Sequence, residues 1–313
     1  VEAITGFTGR ADEIARAEQA LLEGRNVLIR GRAGMGKSCA LRQVFERIKA
    51  QPSRYREPIW LEPGSTKAVL TQLAVQLHEI VGLAMPKAQL GPRLTARAQR
   101  EGLAWRHIAR TFARLNTAEA VPILLQALDR RPCLIFIDSL EVPPSLAEVY
   151  AELFDHCRIA AGMDADNRRS RINRLLWRFP LQIDLRPLPL TDCSQLAEAW
   201  LARHPLRFSD ERTRQRFIRH IAQDSGGVPA AIRGMLEAAA AEDEITPAKA
   251  FAFEHEAGIR YLDMTPLVIL LIVLFMAARY ISRGFGLEEM LVWSGVATAL
   301  FTGVRFFMYQ MRR

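Results

Sequence analysis

Three glycines, a lysine and a serine crowd into residues 31–38, in the run GRAGMGKS. Glycines let a loop turn several backbone N–H groups inward, and a lysine ammonium beside them adds a full positive charge, which suits a polyphosphate. A serine hydroxyl directly after the lysine is placed to share a divalent cation with that polyphosphate. The pattern GxxxxGK[ST] arises by chance on the order of one percent of the time in a chain this long. Gly31, Arg32, Ala33, Gly34, Met35, Gly36, Lys37, Ser38 and Cys39 are therefore expected to hold ATP (or GTP). Lys37 would reach the β/γ-phosphates and act in catalysis, while Ser38 would bind Mg²⁺.

A second run, CLIFIDS at residues 133–139, reads as a buried strand ending in an acid. That is what a Mg²⁺-orienting carboxylate needs, so Asp138 joins Ser38 as a metal residue. The next residue, Ser139, cannot act as a base at neutral pH. Glu141 is the candidate for activating water, and Glu62, at the end of another apolar run, is the second acid within reach. The competing role for both is a solvated surface acid. Hydrolysis is expected to be weak, or completed only in an assembly.

Stepping outward, helical periodicity covers residues 11–23, 37–50, 66–81, 118–129 and 146–154. Short apolar runs at 26–30, 58–61, 133–138, 158–161 and 181–185 read as strands between them. Alternating strands and helices predict an α/β domain with a mainly parallel sheet covered on both faces. From residue 194 the pattern is all-helical (194–204, 210–225 and 229–242), as in a small lid-like bundle. The expected division is a P-loop α/β domain over 1–192, a helical lid over 193–258 and a hairpin over 259–313.

Five passages resemble the AAA+/STAND group of P-loop ATPases, closest in motif layout to the general-secretion and transposition-regulator AAA ATPases. They are FTGRADEI at 7–14, the two runs already described, RLLWRFPLQIDLRPLPLTD at 174–192 and SGGVPAAI at 225–232. The likeness spans about residues 5–240. It implies an ATP-dependent homo-oligomer in which Arg178, or alternatively Arg174, is an arginine finger inserted into a neighbouring subunit's site. The competing role for Arg178 is ordinary surface charge. Two departures matter: Ser139 replaces the group's usual catalytic glutamate, and Ala230 stands where relatives carry a lid arginine. Arg233, one turn later, is the candidate substitute.

The tail lies outside that resemblance. Residues 264–278 read MTPLVILLIVLFMAA, and residues 290–304 are a second uncharged run. Extended to spans of about 264–281 and 287–309, both approach the ~20 residues a bilayer requires. The expectation is a two-helix transmembrane hairpin in contact with membrane lipid. It places the chain in the inner (cytoplasmic) membrane as a multi-pass protein, with its ATPase domain in the cytoplasm. The alternative is a buried helical hairpin.

Composition narrows the rest. A formal charge of +8 suits an acidic partner. Four cysteines without a CxxC pair, behind a polar and charged start, predict reduced thiols in a cytoplasmic domain. Scattered histidines predict no transition-metal site. Arg93, Arg97, Arg100, Arg106, Arg110 and Arg114 recur at helical spacing around Trp105 and Phe112. That stripe would meet nucleic acid or anionic headgroups, against the simpler reading of a solvated face. The function expected is a membrane-anchored AAA+-like ATPase or ATP-dependent switch, with a protein partner that no motif identifies. The alternatives are a nucleotide-binding regulatory module with little hydrolysis, or a nucleic-acid-associated ATPase regulator.

Overall fold

The strands are short, and all but the last are apolar and mostly buried on both faces, which is the composition of a parallel sheet covered by helices on either side. In the computed structural model they are β1 (Val27–Gly31), β2 (Ile59–Leu61), β3 (Leu134–Ile137), β4 (Arg158–Asp164) and β5 (Leu181–Asp184). They form one sheet in the order β2-β3-β4-β1-β5, with every pairing parallel. The structure describes residues 9–51, 57–86, 89–90, 94, 103–131, 133–140, 142–165, 174–242, 245–247, 251 and 276–277.

Strand side chains alternate between faces, so one strand feeds two cores. Val27, Ile29, Leu134, Phe136 and Ala160 pack with α1 (Ala11–Leu22) and α2 (Lys37–Ala50). Leu28, Ile135, Ile137 and Ile159 pack on the other face with α3 (Thr66–Ile80), α4 (Trp105–Phe112), α5 (Thr117–Leu128) and α6 (Pro144–Leu153). Phe136 meets Phe45 edge-on at 5.3 Å and stacks with Trp60 at 6.0 Å. A fully buried side chain of this size contributes roughly 1.5–3 kcal/mol.

β2 is an edge strand, and α3 covers the edge. The Gln76 side chain accepts from Trp60 N at 3.2 Å and donates to Trp60 O at 2.8 Å. Gln72 accepts from Glu62 N at 2.9 Å. Glutamines one helical turn apart thus satisfy the backbone groups that would otherwise invite another strand.

β4 runs three residues beyond the expected 158–161. Gly162, just past the expected end, permits a close backbone approach. A Cβ there would overlap the Asp138 carbonyl oxygen and sit 3.2 Å from Leu41 Cδ1. Leu140 N also donates to Gly162 O at 2.8 Å. A Gly162→Ala substitution is expected to push the ends of β3 and β4 apart and cost about 1–3 kcal/mol. Urea unfolding measures this, together with a loss of Mg²⁺ dependence in nucleotide binding.

A third core belongs to α7 (Leu190–Arg203), α8 (Glu211–Asp224) and α9 (Pro229–Ala239), built on Phe217, Ile221, Ile232 and Leu236. The chain divides into two units, Val1–Ile259 and Arg260–Arg313. Of the second unit only Met276 and Ala277 are described, as exposed helical residues, so both expected membrane spans otherwise lie outside the described residues. Among the described residues no helix is long and apolar enough to cross a membrane.

Candidate nucleotide site

β1 lies second from the sheet edge formed by β5, and β4 separates it from β3. The loop leaving β1 and the acids ending β3 and β4 therefore emerge at the same, C-terminal edge of the sheet. Gly31 is in register with Asp164, the last residue of β4. Ala165 N then donates to Gly31 O at 3.1 Å.

Within the loop, Gly34 and Gly36 hold φ of +79° and +86°, the left-handed region that side chains disfavour. Gly36 is the N-cap of α2 and offers no side-chain cap, and no acid occupies the first turn. The helix thus presents N–H groups and its positive dipole end toward the loop, a ready anion site. Lys37 Nζ donates to Gly31 O at 2.7 Å and Arg32 O at 3.0 Å, and lies 3.8 Å from Asp164 Oδ2. Arg32, Ala33, Ser38 and Cys39 are exposed, whereas Met35 is buried at the centre of the turn.

The residues fit a divalent cation. Asp138 Oδ1 is buried and has no hydrogen-bond partner among the described residues, a costly state for a carboxylate oxygen unless it serves as a ligand. The Cys39 thiol pKa is raised by desolvation and by the Asp138 carboxylate, with Arg233 opposing, so the three groups share one field. Even outer-shell partners of metal ligands are worth about 10- to 100-fold in affinity, so losing a ligand costs at least that much. Asp138→Asn is expected to lower Mg²⁺ affinity by that factor, read by titrating Mg²⁺ into nucleotide-loaded protein.

The remaining candidates are placed differently. Glu141 lies outside the described residues. Glu62 accepts from Trp60 Nε1 at 2.7 Å and pairs with Arg42 at 3.0 Å, while the Arg42 guanidinium stacks on the Trp60 ring at 3.7 Å. It is a surface acid with structural partners. Arg178 pairs with Asp155 at 2.7 Å, and its carbonyl accepts from Asn26 Nδ2 at 2.9 Å. Asn26 precedes β1, so Arg178 sits at the opposite end of the sheet from this chain's own loop. Arg174 is exposed nearby, and Trp177 is 90 % exposed.

The third helical core reaches the loop. Ala230 N, in the first turn of α9, donates to Gly34 O at 3.2 Å. A Cβ on Gly34 would lie 2.9 Å from that of Ala230. Arg233, one turn along, pairs with Glu237 at 2.6 Å.

Two functional residues escaped the sequence reading. Asp164 is one; its signal was the repeated design of an apolar strand ending in Asp, as in LIFID and IAAGMD. The other is Arg10, only 2 % exposed. Its Nη2 donates to Arg186 O at 2.6 Å and lies 3.5 Å from Met35 O, while Nη1 pairs with Glu13 at 3.4 Å. Burial lowers its pKa, opposed by Glu13 and by Asp192 of α7. One guanidinium thus ties α1, the phosphate loop and the linker from β5 to the lid.

Searches with the sequence find no matching family model and no matching curated protein. Solved structures do match. Cdc6p from Pyrobaculum aerophilum aligns at TM-score 0.52 and 14% identity, covering 90% of this chain and 76% of that one. The Orc1 protein of Aeropyrum pernix, in complex with DNA, aligns at TM-score 0.55 and 14% identity, covering 90% and 73%. The chain has the fold of AAA+ P-loop ATPases. Identity this low shows the fold alone.

The expected multi-pass inner-membrane location is corrected. Crossing a bilayer as a helix takes ~20 apolar residues. The longest described helix, α3, has 15, and it carries Lys67, Gln72 and Gln76 among its apolar positions. With no helix among the described residues able to cross, and with Cdc6p and DNA-bound Orc1 as fold neighbours, membrane and lipid drop out of the functional reading.

Proposed function

We propose that the chain is an AAA+-type Mg–ATP-binding switch that works in association with nucleic acid. The observation that carries the nucleotide half is the convergence at one sheet edge of the glycine loop, Lys37 and the partnerless Asp138 oxygen. The lid contact between Ala230 and Gly34 gives bound nucleotide a moving part to act on. ATP held by the loop would set the position of α9, with Arg233 as the lid cation nearest the phosphates.

Turnover is slow in this reading, because Ser139 supplies no base. Arg178, remote from its own loop and exposed beside Trp177, serves a second copy of the chain, which makes hydrolysis depend on assembly. The finer likeness to secretion and transposition ATPases rests on motif layout alone. The nucleic-acid half draws support from the shared fold with the DNA-bound Orc1 protein and from the exposed Arg106, Arg110 and Arg114. Trp105 and Phe112 turn inward instead, at 5.8 Å from each other, so these arginines offer charge without stacking. Arg93, Arg97 and Arg100 lie outside the described residues.

Phosphate release from Mg–ATP, with and without duplex DNA at low salt, tests both halves. Slow basal turnover raised by DNA is expected. Equal rates would remove the nucleic-acid half, and a rate unchanged by Lys37→Ala would remove the ATPase half.

A further inference from the structure

Some helix arginines on this surface are answered by an acid. Arg42 pairs with Glu62 at 3.0 Å, Arg47 with Glu18 at 3.5 Å, Arg214 with Glu211 at 3.0 Å and Arg233 with Glu237 at 2.6 Å. One face of α8 carries three that are not. Arg212, Arg216 and Arg219 recur at i, i+4 and i+7, all exposed, and none makes a salt bridge among the described residues. Exposed Gln215 and Gln223 fill the same face.

Helical geometry separates this face from everything else on α8. At 3.6 residues per turn, the five positions lie opposite Thr213, Phe217 and Ile221, which are buried in the lid core. The acids of the helix fall to either side and are engaged: Glu211 with Arg214, and Asp224 with His220 at 3.4 Å. Asp210 caps the helix, accepting from Thr213 N at 2.6 Å, and it also attracts Arg216 from the helix end. No acid interrupts the face between Arg212 and Gln223.

We propose that this face of α8 is a contact for the phosphate backbone of duplex DNA. The proposal rests on the nucleic-acid-associated reading above and adds which surface makes the contact. Arg212 and Arg219 are separated by about 10 Å along the helix axis, which matches about three base-pair rises of ~3.4 Å projected on the duplex axis. A guanidinium fork takes a phosphate through two parallel hydrogen bonds, and glutamine amides donate to the oxygens between them. Nothing on the face reads base edges, so the contact is independent of sequence. Its position on the lid means that movement of α9 against the phosphate loop would carry this surface with it.

The test uses the full chain with Arg212, Arg216 and Arg219 replaced together by Gln, and a short fluorescent duplex followed by anisotropy across salt concentrations. Each phosphate contact contributes about 0.9 to the slope of log affinity against log salt, so three lost contacts should flatten it by about 2.7. Affinity at low salt should fall at least about tenfold, and the corresponding triple Lys variant should restore most of the slope. Mg–ATP affinity should stay at the wild-type value, which shows that the variant is folded.

If the wild type binds DNA and the Gln variant matches it in affinity and slope, the α8 surface is wrong while the broader reading stands. If the wild type fails to bind duplex at low salt, both fall. If polyglutamate competes as well as duplex of equal charge, the face serves an acidic protein and the proposal is overturned.

Discussion

Replacing Lys37 by Ala is expected to weaken Mg–ATP binding by about ten- to hundredfold while leaving the far-UV circular dichroism unchanged. A hydrogen bond from a charged group is worth about 1.5–3 kcal/mol, which converts to that range of affinity. The Lys37 ammonium is fixed over the loop by the carbonyls of Gly31 and Arg32 and by Asp164, so its charge is positioned at the phosphate-facing edge. The fold should survive, because the side chain fills no core. A fluorescent ATP analogue measures the affinity. Retained affinity would mean that the loop does not hold a polyphosphate through this residue.

The second large effect is expected at Arg10, remote from any phosphate chemistry. Arg10→Met removes the donor for both Arg186 O and Met35 O, leaving buried acceptors short of partners. Such losses cost about 1–3 kcal/mol, seen as a lower urea midpoint. A merely structural arginine would change stability alone. Arg10 also braces the turn between Gly34 and Gly36, so nucleotide affinity should fall severalfold even where the variant is fully folded. Arg10→Lys should recover stability only in part, because an ammonium lacks the planar fork whose Nη2 meets the two carbonyls while Nη1 meets Glu13. Wild-type nucleotide affinity in folded Arg10→Met would leave the residue a structural tie and nothing more.

Legibility in the sequence followed locality. The phosphate loop could be read because all its parts lie within eight consecutive residues, and Asp138 because it closes an uninterrupted apolar run. The five strands were visible for the same reason. Asp164 was hidden because its role comes from register: only the pairing of Gly31 with Asp164 brings it to Lys37. The continuation of β4 past residue 161 was hidden because it depends on the Asp138 backbone passing against Gly162. Arg10 was missed because arginine is seldom fully buried, and nothing local reveals that carbonyls at Met35 and Arg186 will surround it. In the basic stripe, periodicity alone could not separate Phe112, a core residue, from the exposed arginines beside it.

The account turns on a grip: turned-in backbone amides and one lysine on a polyphosphate, with Asp138 steadying the metal. Titration calorimetry of the folded full chain with ATP, in the presence and absence of Mg²⁺, tests it most directly. The predicted result is saturable uptake of one nucleotide per chain, tighter with Mg²⁺, losing that Mg²⁺ advantage in Asp138→Asn. Folded protein that takes up no nucleotide under either condition would contradict it.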